Sequence, residues 1–120
     1  MSLELQTASA EYQKLQHELA TLVDARTRLD TQLSESEMVK KEFTQLVPSN
    51  TVYKLIGPVL VQQDQAEAKA NVQTRLDFIQ GEIKRVDNQI KEIETKSDQK
   101  KDELVAIQEG LQQNQPQIPA

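Results

Sequence analysis

A 3-4 spacing of apolar residues runs through most of this chain and limits what it can fold into more than any other feature. In its first half the spacing takes in Leu5, Ala8, Tyr12, Leu15, Leu19, Leu22, Arg26, Leu29, Leu33, Ser36, Lys40, Phe43 and Val47, with ten of the thirteen positions apolar. A seam sustained over about six heptads predicts a helix that buries one narrow stripe against another helix, as in a coiled coil. Pro48 pushes Val47 out of the α region, so this helix is expected to end near residue 47.

The same spacing returns as Val72, Leu76, Ile79, Ile83, Val86, Ile90, Ile93, Ser97, Lys100, Leu104, Ile107 and Leu111, broken only by Ser97 and Lys100. Asp64 is placed to cap this second helix, with Glu67 three residues on. Gly81 falls on the outermost heptad position, where it weakens the helix by about 1 kcal/mol without touching the seam. If the helices fold back on one another around Ile56, facing residues have numbers that sum to about 112. Leu5 then faces Ile107, Leu22 faces Ile90 and Leu33 faces Ile79, so each a position meets a d position, as an antiparallel pair requires. Each arm has some 45 residues and a length of about 70 Å.

Composition agrees with a thin seam and not with a globule. Of the 120 residues only 37% are hydrophobic and 3% aromatic. The net charge is -5, with basic residues scattered among acidic ones, which argues against nucleic acid as a direct partner. No window approaches the roughly 18 apolar residues of a membrane span, and the start has no leader pattern, so a soluble chain with an unprocessed N-terminus is expected. Cysteine is absent.

The residues between the arms, "NTVYKLIGPVLVQQ", are of another kind. A helix-to-helix connection needs only a few polar residues. Here Val52, Tyr53, Leu55, Ile56, Val59, Leu60 and Val61 are strand formers gathered about Gly57-Pro58, which predicts a β-hairpin of unspecified turn type. A lone hairpin with two apolar faces and two open edges is marginal in water and invites pairing with other strands. Val52, Tyr53, Leu55, Ile56, Gly57, Val59, Leu60 and Val61 are therefore the candidate assembly residues, joining strands of other chains in a shared sheet or barrel. Met38, Val39, Ala68, Ala70 and Phe78, off the seam but near this end, are expected to pack on neighbours.

A helix of this length, then "NTVYKLIGPVLVQQD", then "EAKANVQTRLDFIQGEIKRVDNQI" resembles a β-type prefoldin subunit from about Glu11 to about Leu111. The specific part is Tyr53-Lys54 through Gly57-Pro58-Val59-Leu60-Val61, followed by Glu67-Ala68 and Arg75-Leu76. The resemblance implies a mainly α fold: a long antiparallel two-helix coiled coil joined by one β-hairpin that assembles into a multi-subunit β-barrel. With the period lost after Gly110, the chain reads as one prefoldin-like domain over 1–112, with helix 1 about 2–47, hairpin about 51–63, helix 2 about 64–111 and a disordered tail over 113–120; the first ten residues and the tail lie outside the resemblance. The resemblance further implies a cytoplasmic hetero-hexamer of two α-type and four β-type subunits. Such a complex holds unfolded actin and tubulin at its arm tips and passes them to the cytosolic chaperonin without ATP.

The tips of this chain would be its two ends. Leu5, Ala8, Leu104, Ile107 and Leu111 lie on the seam there, while Leu3 and Val105 point away from it, and these seven are the candidate client-binding residues. The polar seam residues Arg26, Ser36 and Lys40 are expected to reach out of an open seam. Tyr12 opposite Lys100 and Leu15 opposite Ser97 leave the layers just inside the tip poor in apolar contacts, which would loosen it. No enzyme, cofactor or metal site is expected, because His17 is a lone histidine on an outer position and no phosphate-binding glycine loop is present. The rival reading is a structural tether, an antiparallel coiled coil whose hairpin only fixes a dimer.

Overall fold

The computed structural model describes residues 2–113, in the order α1 (Leu3–Thr44), β1 (Val52–Ile56), β2 (Val59–Gln63) and α2 (Gln65–Gln113). Two long helices are thus joined by one antiparallel hairpin, as the two heptad runs and the β-branched island between them require. Packing divides the described residues into two compact units, 2–25 with 86–113, and Arg26–Arg85.

In the first unit Ala8, Val86 and Ser97 are buried, and Leu5, Leu15, Leu19, Leu22, Ile90, Ile93, Leu104 and Ile107 are half-buried. The stretches of α1 and α2 run antiparallel, because a groove is walled by His17, Glu18, Thr21 and Leu22 on one side and by Gln89, Glu92 and Ile93 on the other. Polar ties fix the same register. The Gln16 carboxamide donates to the Ser97 hydroxyl, and Lys100 Nζ reaches Glu11 at 2.5 Å and Glu103 at 2.8 Å. Hydrogen bonds to Glu103 and Glu11 raise the Lys100 pKa above the ordinary lysine value, against a smaller opposing effect of burial. The layers just inside the chain ends, at Tyr12 with Lys100 and Leu15 with Ser97, are bridged by these polar groups.

Ser2 caps α1: its hydroxyl accepts from the Leu5 amide at 3.1 Å and its carbonyl from the Gln6 amide at 3.1 Å. Such a cap satisfies donors that a helix start otherwise leaves open.

In the second unit Leu76 and Ile79 are buried with Ser36, while Leu29, Leu33, Phe43, Val72 and Ile83 are half-buried. Grooves walled by Glu35, Ser36 and Val39 with Val72 and Arg75, and by Lys40, Phe43 and Thr44 with Lys69, Val72 and Gln73, again show antiparallel stretches in the expected register. Gly81 is exposed, and a Cβ added there meets nothing within 4 Å.

Four expectations need correction. Helix α1 stops at Thr44 and not at 47, because Gln45 and Leu46 donate to carbonyls three residues back and Pro48 has no amide to continue the ladder. Val47, expected on the seam, is 52% exposed. Of the three polar seam residues expected to reach outward, Ser36 does not and is buried, because it lacks a stem long enough to carry its polar head to water; Lys40 is exposed, and Arg26, half-buried, turns its guanidinium to the exposed Asp30. Ala68, expected to face neighbours, is 4% exposed and lies on the inward side of α2, one residue before the heptad position held by the exposed Lys69. The hairpin begins at Val52, and α2 runs from Gln65 to Gln113, so Gln113 of the expected tail is helical and residues 114–120 lie outside the described residues.

Candidate functional site

The hairpin is built by a two-residue turn at Gly57-Pro58. Its pairs are Val52 with Gln63, Tyr53 with Gln62, Lys54 with Val61, Leu55 with Leu60 and Ile56 with Val59. Gly57 has φ of 58°, and the proline ring confines Pro58 to negative φ. A positive first residue and a negative second one match a type II′ turn, whose twist suits a hairpin, and rule out type I′. Pro58 costs no ladder bond at this position.

Alternation puts Val52, Lys54, Ile56, Val59, Val61 and Gln63 on one face and Tyr53, Leu55, Leu60 and Gln62 on the other. Both faces are open: Tyr53, Leu55, Ile56, Val59, Leu60 and Val61 are between 44% and 66% exposed. Val52, at the base, is half-buried. With Ile56 and Val59 closing the turn as a hydrogen-bonded pair, the main-chain groups of Tyr53 and Leu55 point out from one edge and those of Leu60 and Gln62 from the other. Each edge can therefore accept a further strand.

A set of polar contacts anchors the base. Asp64 caps α2, with its carboxylate accepting from the Glu67 amide at 3.1 Å and its carbonyl from the Ala68 amide at 2.9 Å. The Asn50 carboxamide oxygen accepts from the Val47 amide at 2.8 Å, and the Val47 carbonyl accepts from the Asn50 amide at 2.9 Å. The Gln65 side chain donates to the carbonyls of Val47 at 2.9 Å and Asn50 at 2.7 Å. Sequence reasoning found Asp64 but missed Asn50 and Gln65. An Asn two residues after a proline is a legible turn signal. Nothing local marks a glutamine whose partners lie 15 and 18 residues earlier.

In the same unit as the hairpin, Met38 and Phe78 are 65% and 67% exposed, and Val39 and Ala70 are exposed as well. At the chain ends the seven candidate residues divide. Leu3, Val105 and Leu111 are exposed, Leu5, Leu104 and Ile107 half-buried, and Ala8 is buried. Among the described residues no His, Cys, Asp and Glu cluster could hold a metal, and no helix is long and apolar enough to cross a membrane.

Comparison with known proteins places this geometry. A family model described as prefoldin subunit matches residues 6–111. Prefoldin subunit 6 of Mus musculus is 42% identical over 111 residues, covering 92% of this chain and 87% of that protein. Prefoldin subunit 6 of Saccharomyces cerevisiae is 42% identical over 98 residues, 82% of this chain and 86% of the relative, and that of Arabidopsis thaliana 38% over 109, 91% and 84%. The fold is similar to the crystal structure of the prefoldin beta subunit from Thermococcus strain KS-1, with a TM-score of 0.82 at 17% identity over 88% of this chain and 93% of that one.

Proposed function

The chain belongs to the prefoldin family of co-chaperone subunits, and from that premise we propose that it is a β-type member of a hetero-hexamer of two α-type and four β-type subunits. Prefoldin subunits form complexes with one another. The observation that carries the reading is the hairpin, whose two apolar faces and two unpaired edges have no cover among the described residues. Tyr53, Leu55, Ile56, Val59, Leu60 and Val61 supply the buried surface of a shared barrel. Val52 and Gly57 fix its base and its turn.

The chain ends act as the client-holding tips, with residues 1–112 working as one prefoldin-like domain. Leu3, Val105 and Leu111 are available at once, and Leu5, Ala8, Leu104 and Ile107 become so as the ends part. An unfolded chain offers exposed apolar segments without a fixed shape, so several weak tips give holding through avidity. Unfolded actin and tubulin are the proposed clients, passed to the cytosolic chaperonin in the cytoplasm without ATP.

The test mixes this chain with the remaining prefoldin subunits of its source, measures mass by sedimentation, and follows aggregation of denatured actin diluted into the mixture without nucleotide. One discrete hexamer containing one copy of this chain, and suppressed aggregation that Leu3→Ser with Val105→Ser weakens, are expected. A tight homodimer that ignores the other subunits would instead favour a structural tether.

A further inference from the structure

We infer that Gln65 is a positioning residue for assembly, a clamp that sets the direction in which the hairpin leaves the helices before any partner arrives; this rests on the hairpin being the assembly element. The hairpin is joined to α2 through Asp64 alone, but to α1 through residues 45–51. The first connection is stiff, because Asp64 is also the cap of α2. The second is long enough to let the strands swing, and its own bonds, between Val47 and Asn50, are local. They shape a turn without saying where it lies.

Gln65 supplies that information. It is half-buried in the first turn of α2, and its carboxamide nitrogen donates to both the Val47 and the Asn50 carbonyl. The two ends of the turn are thereby held to the helix that follows the hairpin. Both sides of the base, where Val52 pairs with Gln63, are then fixed to the same short stretch of α2. Glutamine suits this role, since glutamate has the same reach but no donor and asparagine is one methylene shorter. Ordering the linker in the free chain removes that ordering cost from the association step, which is how preorganisation raises affinity.

The chain has no cysteine, so nitroxide labels can be placed at Lys54→Cys and Gln73→Cys in the full chain. Gln65→Ala and Gln65→Glu are expected to broaden the distance distribution between the labels. Unlabelled, both variants are expected to associate with the remaining prefoldin subunits about 3- to 10-fold more slowly, with the dissociation rate unchanged. Leu60→Asp serves as the separate check on the assembly reading. If Leu60→Asp associates like the wild type, that reading fails. If Leu60→Asp does not associate while both Gln65 variants keep wild-type rates and a narrow distribution, the clamp is overturned. Faster dissociation with a wild-type association rate would also overturn it, since that marks a contact that acts only in the assembled complex.

Discussion

Leu60→Ala separates a hairpin made for other chains from one made for its own. Leu60 is 63% exposed in the single chain and stands opposite Leu55, which is 66% exposed. Fully burying a leucine contributes about 1.5–3 kcal/mol, so covering the part that is still open contributes on the order of 1–2 kcal/mol. Truncation to alanine removes most of that gain, and assembly with partner subunits should weaken about tenfold. Leu60→Asp adds the cost of stripping water from a carboxylate, several kcal/mol, and should abolish the complex at micromolar concentration. In the isolated chain the residue has little to lose, so either variant should melt within about 3 °C of the wild type. Sedimentation velocity of the titrated mixture reads the first effect and thermal unfolding by circular dichroism the second. Wild-type assembly by both variants would refute the reasoning. So would a destabilisation of the isolated alanine variant by about 2–5 kcal/mol, the cost of truncating a buried core leucine.

Neighbouring residues on α2 test the seam. Ile79 is 2% exposed and Phe78 is 67% exposed, so Ile79→Ala should destabilise the chain by roughly 2–5 kcal/mol while Phe78→Ala stays within about 0.5 kcal/mol in denaturant titration. Equal effects would show the register to be wrong. Lys100 gives a pH test: because its pKa is raised on folding, its contribution is present below the unfolded lysine value and lost as pH rises through the higher folded one. Thermal midpoints of the wild type should therefore fall relative to Lys100→Met above about pH 10.5, and parallel curves would sink the assignment.

The sequence by itself determined the two helices, their matching lengths and the hairpin between them; the register, open there to shifts of one heptad, is fixed by contacts such as Gln16 with Ser97 and Lys100 with Glu11. Leu22 and Ile93 share a groove, and Leu76 and Ile79 are buried, because a 3-4 spacing hides its apolar stripe by packing it against a second stripe of the same kind. Asp64 was legible because a cap acts on its own helix within one turn. The family was legible too, since the hairpin motif is short, contiguous and specific. What tertiary structure alone decided lies where contacts are made between residues distant in sequence or where size decides the outcome. The type II′ turn, the end of α1 at Thr44, the burial of Ser36, Ser97 and Ala68, and the bridge from Lys100 to Glu11 are of this kind. Gln65 is the sharpest instance: its two acceptors are main-chain carbonyls, identical in every residue, so no side-chain pattern announces them. A heptad says which face turns inward; only the folded backbone says which carbonyl waits within reach of a carboxamide.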